Sequence, residues 1–186
     1  MSLTRVFISA EISERDEISN IQDKIFACGN LDFRNAKKVD RDNFHFTLLF
    51  IGEVDSASLD QITGIVSSIK FSAFEFNFAK IGGFPNRKYA RIGWVGIEGI
   101  GERKMSELAE AIGQKLSSFM VKEKSHYVPH ITLFRLRNGT INLESMLTDH
   151  NISINFRDKV KEINLKKSIL TSTGPHYSNI VTVKAE

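Results

Sequence analysis

Two short segments of this 186-residue sequence repeat one pattern, which is histidine, an apolar residue, threonine and leucine. The first copy starts at His45 and the second at His130, nearly half the chain length apart. On a β-strand, residues two positions apart point to the same face. Thr47 and Thr132 are therefore expected to project together with their histidines, while the apolar residues face the core. Each copy thus predicts an imidazole and a hydroxyl side by side.

Such a pair of motifs has the groups needed to cleave a phosphodiester. Two imidazoles with an ordinary pKa near 6.5 allow one ring to be neutral and the other charged, as a base and an acid require. Threonine hydroxyls can donate to the non-bridging oxygens of a phosphate between them. A single histidine of this kind is more often a hydrogen-bonded core residue. The repetition is what favours one shared cleft, in which the two titrations would be coupled.

The elements that must position these residues can be read from the hydrophobic pattern. Both motifs lie in strand-like segments, residues 43–52 and 130–136, which are rich in β-branched and aromatic residues. Helical spacing occurs at 14–26, 57–70, 102–120 and 143–147, and further strands are predicted at 4–10, 74–78, 89–97, 152–156, 160–171 and 180–183, with a turn at 82–86. Helices interleaved with hairpin-like strand pairs favour an α+β fold over a doubly wound parallel sheet.

The composition describes a globular chain and excludes several classes of protein. The chain has 25 Lys and Arg residues and 22 Asp and Glu residues, which gives a net charge of +3. This charge is too small to indicate a nucleic-acid binder by itself. The single cysteine excludes a disulfide framework and a cysteine-based zinc site, and fits a reducing compartment. We find no apolar run of membrane-spanning length, no secretory signal and no nucleotide-binding fingerprint. We expect a cytoplasmic monomer without membrane contact.

The two motifs resemble the paired HxTx signature of the 2H phosphoesterase superfamily. Within it, the chain is most similar to the bacterial and archaeal RNA 2′,3′-cyclic phosphodiesterases, also called 2′-5′ RNA ligases, the LigT-like or ThpR group. The similarity extends over nearly the whole chain. It includes the first strand at 5–10, the first motif with its trailing glycine and glutamate at 44–53, residues 83–85 with Arg91 and Trp94, and the C-terminal hairpin at 170–177.

This resemblance implies both a fold and a reaction. The fold is bilobal, with two antiparallel sheets and outer helices flanking a central cleft; residues 1–186 form one domain of two pseudo-symmetric lobes, each a half of the chain carrying one HxTx motif. The implied substrate is RNA ending in a 2′,3′-cyclic phosphate, which would be hydrolysed to a 2′-phosphomonoester without metal or cofactor, with reversible 2′-5′ ligation as a further expected capacity. The resemblance also implies that His45 is the general acid and His130 the general base, and that Thr47 and Thr132 hold the phosphate.

Arg135 matches an arginine that commonly follows the second motif in this family. Strict alternation along the strand puts Arg135 on the face opposite His130. It reaches a phosphate only if the strand bends, bulges or ends between them. Otherwise Arg135 is an exposed arginine at the end of a strand.

Other residues are candidates for contacts with RNA. Base stacking is a candidate role for Phe84, Tyr127 and Tyr177, although aromatic residues more often belong to the core. Arg34, Lys37 and Lys38 are candidates for tracking an RNA backbone, with a solvated loop as the alternative. His126 is interpreted as a surface or cleft-rim residue.

Two other functions fit the same motifs. One is an RNA-end binding module that grips a terminal phosphate without turnover. The other is a cyclic phosphodiesterase that acts on a small nucleotide metabolite.

Overall fold

The computed structural model describes residues 3–120, 127–172 and 174–186, so His126 lies outside the described residues. The strands are β1 (Thr4–Ala10), β2 (Ala36–Lys38), β3 (Phe46–Val54), β4 (Phe74–Phe84), β5 (Ile92–Glu98), β6 (His130–Leu136), β7 (Phe156–Val160), β8 (Glu162–Leu170) and β9 (Pro175–Lys184). The α-helices are α1 (Arg15–Cys28), α2 (Ser56–Ser67), α3 (Gly99–Lys115) and α4 (Leu143–Asp149).

The strands form two antiparallel sheets, which confirms the predicted α+β class. The first sheet has the order β3-β1-β8-β9 and the second the order β2-β6-β5-β4-β7. The first motif lies at the start of β3 and the second on β6, so each sheet carries one motif. The sheets do not coincide with the two halves of the chain, because β8 from the second half pairs with β1. The pseudo-symmetry of the lobes stays a prediction.

A turn predicted at residues 82–86 is instead mostly strand. β4 continues through Gly82 and Gly83 to Phe84 and ends at a cis Phe84–Pro85 peptide. The glycines serve close packing there, since a Cβ on Gly82 would lie 2.1 Å from the Trp94 ring. A Cβ on Gly83 would lie 2.6 Å from that of Ala90.

Other boundaries also differ from the sequence prediction. Helix α3 starts at Gly99, three residues earlier than predicted, and Gly101 packs against β4, where a Cβ would lie 2.4 Å from that of Phe76. Strand β7 follows the predicted 152–156 segment instead of occupying it. Strand β9 is longer than predicted, and β2 was not predicted at all.

Phenylalanines join the two sheets in the core. Phe46 of β3 is fully buried and packs edge-on against Phe76 of β4, with ring centroids 5.4 Å apart. It also stacks on Phe78, at 5.7 Å. Such aromatic pairs contribute about 0.5–1.5 kcal/mol each beyond their buried area. Because Phe46 lies between His45 and Thr47 in sequence, this packing fixes the first motif relative to the second sheet.

Strand β6 contains a bulge between the second motif and Arg135. Thr132 pairs with Trp94 and Phe134 pairs with Gly93, so the intervening Leu133 has no partner on β5. Leu133 and Phe134 are both buried although they are adjacent, as expected at a bulge. The ring of Phe134 lies where a side chain on Gly93 would be, since a Cβ there would be 2.1 Å from it.

We expect Gly93→Ala to destabilise the protein by about 1–3 kcal/mol, the usual cost of overpacking a core. The fully buried Phe134 ring would have to move, and the bulge with it. The measurement is chemical denaturation. Gly64→Ala in helix α2 is the matched control: nothing lies within 4 Å of its new Cβ, so stability should rise by up to about 1 kcal/mol. Equal stability of the Gly93 variant and the wild type would contradict this packing role.

Candidate active site

A cavity of about 260 Å³ lies between the two sheets and receives side chains from both. The structure brings all five predicted catalytic and phosphate-binding residues to it, namely His45, Thr47, His130, Thr132 and Arg135. The other described residues that line it are Lys37, Lys38, Val39, Asp40, Asn43, Ile131, Gly174, Pro175 and Tyr177. The expectation that the two motifs share one cleft is thus met geometrically.

The two histidines are held in the same way. His45 Nδ1 lies 2.7 Å from the carbonyl oxygen of Asn43, and His130 Nδ1 lies 2.7 Å from that of Val128. A carbonyl can only accept, so each Nδ1 carries the hydrogen and donates it. Each neutral ring therefore keeps Nε2 as an acceptor. In His45 this Nε2 accepts from the Thr47 hydroxyl, at 3.2 Å.

Aromatic rings fix the orientation of both imidazoles. His45 stacks on Phe7, with centroids 5.1 Å apart, and meets Tyr177 edge-on at 5.5 Å. His130 meets Phe84 edge-on at 5.0 Å and lies 5.8 Å from Trp94. Each ring thus rotates little, which favours a defined direction for proton transfer.

Phe84 and Tyr127, which were predicted to stack on a base, do not line the cavity, and their stacking stays a prediction. Phe84 packs between His130 and Trp94 and so orients the histidine. Tyr127 packs against the hydrophobic core, and burial raises the pKa of its hydroxyl. Of the three aromatic candidates, only Tyr177 lines the cavity.

A network of charged side chains stabilises the turn that precedes His45. Glu11 accepts from Lys166 and from Arg15, each at 3.0 Å. Arg15 also donates to the carbonyls of Arg41 and Asp42, at 3.0 and 2.9 Å. These carbonyls belong to the 3₁₀ turn that ends at Asn43, whose own carbonyl holds His45. Helix α1 therefore fixes the carbonyl that sets the tautomer of His45.

We did not predict a role in the site for Glu11, Arg15 or Lys166 from the sequence. Glu11 and Arg15 pair although Glu11 precedes helix α1, so the helical i, i+4 rule gave no signal for this contact. The side chain of Lys166 is only 11% exposed and pairs with Glu11. No local pattern shows that a residue this far along the chain packs beside His45.

Burial lowers the pKa of both histidines. For His45 the pKa falls to about 4, mainly through desolvation, with the carboxylate of Glu11 opposing the shift and the charges of Lys166 and Arg15 adding to it. For His130 the pKa also falls, mainly through burial, and the charge of Arg135 contributes. Both rings are therefore neutral at pH 7 in the unliganded protein. A bound phosphate would favour their protonation.

The bulge on β6 determines which face of the strand carries Arg135. By adding one residue to the strand, it reverses the alternation after Leu133 and turns Arg135 to the cavity side. Gln22 of α1 stabilises this arrangement, donating to the carbonyls of Leu133 at 2.7 Å and Val39 at 2.8 Å. Arg135 thus lines the same cavity as His130, as the bulged alternative requires.

The described part of the chain has neither a metal-binding cluster nor a membrane-spanning helix. Within residues 3–120, 127–172 and 174–186, no three His, Cys, Asp or Glu side chains are grouped so that they could share a metal ion. Over the same ranges, no helix is long and apolar enough to cross a membrane. The metal-free reaction remains a prediction.

Comparison with known proteins identifies the family. The model of LigT-like phosphoesterases matches residues 11–94, which include the first motif. The RNA 2′,3′-cyclic phosphodiesterase of Methanothermobacter thermautotrophicus is 30% identical over 183 residues, covering 95% of this chain and 96% of the relative. The chain belongs to the LigT-like phosphoesterase family. A relative with the same description from Aeropyrum pernix is 34% identical over 156 residues, or 80% of this chain and 86% of that protein.

Solved structures of LigT-like proteins share the fold. Escherichia coli LigT complexed with 3′-AMP has a TM-score of 0.75 at 21% identity and covers 99% of both chains. The protein TT0787 of Thermus thermophilus has a TM-score of 0.74 at 21% identity and covers 97% of both chains. The chain therefore has the LigT fold over nearly its whole length.

We predict that the His45 ring titrates near pH 4 and that Glu11→Gln lowers this pKa further. The substitution removes the negative charge that favours the imidazolium and leaves Arg15 and Lys166 unopposed. NMR titration of the imidazole resonances measures the His45 pKa in the wild type and the variant. The titration is run well below the unfolding temperature, because leaving Arg15 and Lys166 unpaired also lowers stability.

The control for this titration is Glu53→Gln, which removes an exposed acid paired with Arg5 at 3.7 Å. It should leave the His45 pKa unchanged. A wild-type value near 6.5, or no shift in the Glu11 variant, would contradict the electrostatic environment described for His45.

Proposed function

We propose that this phosphoesterase hydrolyses the 2′,3′-cyclic phosphate at the end of an RNA to a 2′-phosphomonoester. The curated relatives that share nearly the whole chain carry the name RNA 2′,3′-cyclic phosphodiesterase. The observation that carries the proposal is the matched pair of histidines, each held through Nδ1 by the carbonyl two residues earlier, on opposite walls of one cavity. We place the cyclic phosphate between these two histidines.

The proposed reaction transfers two protons while one P–O bond forms and one breaks. His130 Nε2 takes a proton from water as the water oxygen attacks phosphorus. His45, protonated on Nε2, gives its proton to the departing 3′ oxygen, so the phosphate stays on the 2′ oxygen. The resulting imidazolium of His130 and neutral His45 exchange protons with solvent before the next cycle.

The phosphate oxygens are the proposed ligands of Thr47, Thr132 and Arg135. In the unliganded protein the Thr47 hydroxyl donates to His45 Nε2, at 3.2 Å. A substrate would take over this hydroxyl and leave Nε2 free to carry its proton. Arg135 supplies a full positive charge to the anion, and its planar donors match phosphate oxygens.

The same site supports the ligation proposed from the family resemblance. If the 5′ hydroxyl of a second RNA takes the place of water, attack on the cyclic phosphate with the same leaving group gives a 2′-5′ linkage. The general base and acid keep their roles. Reversal of this step needs no further residue.

We also propose that the protein is a monomer located in the cytoplasm.

We expect His45→Ala and His130→Ala each to reduce the hydrolysis of a 2′,3′-cyclic phosphate by about 10²–10⁴-fold, the usual contribution of general acid–base catalysis. The double variant should lose little more than the worse single one, because acid and base act as a unit. The measurement is steady-state turnover of a 2′,3′-cyclic nucleotide, followed by identification of the phosphomonoester.

The controls for these variants address metal and fold. EDTA in the assay should leave the wild-type rate intact; loss that a divalent ion restores would overturn the metal-free mechanism. His150→Ala, at the end of α4, should retain full activity. Full activity in either active-site variant would overturn the assignment, and stable binding without cleavage by the wild type would favour a non-catalytic RNA-end module.

The rate should depend on pH in a way that follows from the lowered histidine pKa values. The reaction needs His45 charged and His130 neutral, and both pKa values lie below 6.5 in the free protein. We expect the pH profile of kcat/KM to be bell-shaped with its maximum below pH 6.5. The upper limb of kcat should lie at higher pH, since bound phosphate favours the imidazolium. A kcat/KM still rising above pH 7 would contradict this.

A further inference from the structure

Two positive side chains lie directly opposite each other at one end of the cavity. Lys37 of β2 pairs with Arg135 of β6 in the antiparallel register. Side chains at opposing positions share a sheet face, with their Cβ atoms about 5 Å apart, and like charges there are destabilising. Both residues line the cavity between the sheets. The repulsion between these two positive charges destabilises the sheet, and an anion bound between the side chains would relieve it.

The neighbouring cations are already neutralised, whereas this pair is not. Lys38 forms an ion pair with Asp23, and Arg34 forms one with Asp32 at 2.5 Å. Among the described ranges, no ion pair involves Lys37 or Arg135 within 4.0 Å. Asp40 is the one carboxylate among the described residues that line the cavity. Excess positive charge is therefore concentrated at Lys37 and Arg135.

Lys37 reaches across the cavity to the opposite sheet. Its Nζ lies 2.9 Å from the position that a Cβ on Gly174 would take, in the turn between β8 and β9. Gly174 has φ +144°, a conformation that favours glycine, so this turn leaves room for the ammonium group. Lys37 lies opposite Arg135, near the end of β6, whereas His130 begins that strand. Lys37 is therefore at the Arg135 end of the cavity, away from His130.

We propose that Lys37 binds a second phosphate of the substrate, the one on the 5′ oxygen of the nucleotide that carries the cyclic phosphate. This inference rests on the proposed function, since it assumes that the cyclic phosphate lies between His45 and His130. Arg135, opposite Lys37 in the register, lines the same cavity and is the proposed ligand of the cyclic phosphate. The site therefore selects substrates with at least two phosphates over a simple nucleoside cyclic phosphate. An RNA strand and a 5′-phosphorylated mononucleotide both supply this group.

The test compares Lys37→Ala with the wild type on three substrates: a nucleoside 2′,3′-cyclic phosphate, the same compound with a 5′-phosphate, and a dinucleotide ending in a cyclic phosphate. For the two substrates with a second phosphate, we expect KM to rise about tenfold, the loss of one charged hydrogen bond. For the first substrate the change should stay within about twofold. Lys37→Arg should restore most of the loss.

Lys184→Ala, at the opposite end of β9 from the cavity, is the matched control and should change none of the three values. An equal loss on all three substrates, or no loss on any, would overturn the proposal. A loss confined to the dinucleotide would assign the subsite to an RNA phosphodiester, and an equal loss on both phosphate-bearing substrates would show that any 5′-phosphate is accepted.

Direct binding separates this inference from the proposed reaction. A fluorescent dinucleotide ending in a 2′-phosphate is titrated against His45→Ala, with and without Lys37→Ala, at several salt concentrations. We expect Lys37→Ala to weaken binding about tenfold and to reduce the salt slope by about 0.7, the value for one phosphate contact on a single strand. An unchanged affinity and slope would overturn the Lys37 subsite, whether or not the wild type hydrolyses cyclic phosphates.

Discussion

The side-chain alternation of β3 ties the catalytic residues to the core. Phe46 is driven into the contact between the sheets, where it meets Phe76 and Phe78, and this burial forces His45 and Thr47 to the opposite side. Ile131, fully buried between His130 and Thr132, has the same effect on β6. Neither motif can turn away from the cavity without exposing a large apolar side chain, at a cost of about 1.5–3 kcal/mol. The separation of the two imidazoles is therefore set by packing.

The electrostatics of the site are adapted to an anion that the free protein lacks. Burial disfavours the imidazolium of His45, and Glu11 offsets only part of this effect. On the other wall, the charge of Arg135 further disfavours protonation of His130. A bound phosphate would add negative charge near both histidines. Binding and activation of the acid are thus linked, because the ligand that is cleaved also favours the proton used to cleave it.

The sequence predicts the two motifs and their strands better than it predicts the distant residues that hold the motifs in position. Strands β1 and β6 have the predicted bounds, since they carry strong β-forming patterns. Strand β2 has only three residues, two of them lysines, and too short a pattern to detect. The bulge at Leu133 depends on Gly93 and Gln22, which lie far away in sequence. The packing of Tyr127 against the core likewise depends on residues that are distant in sequence.

The interleaved order of the strands has a consequence for how the protein is made. The second sheet is complete once β7 has formed, whereas β8, which lies next to β1 in the first sheet, comes later in the chain. Lys166 and Tyr177, which surround Glu11 and His45, arrive with β8 and β9. Because a domain generally folds as a unit, the cavity is completed only when β8 and β9 have been synthesised. A chain cut before β8 lacks the strand beside β1 and the cavity residues Gly174, Pro175 and Tyr177.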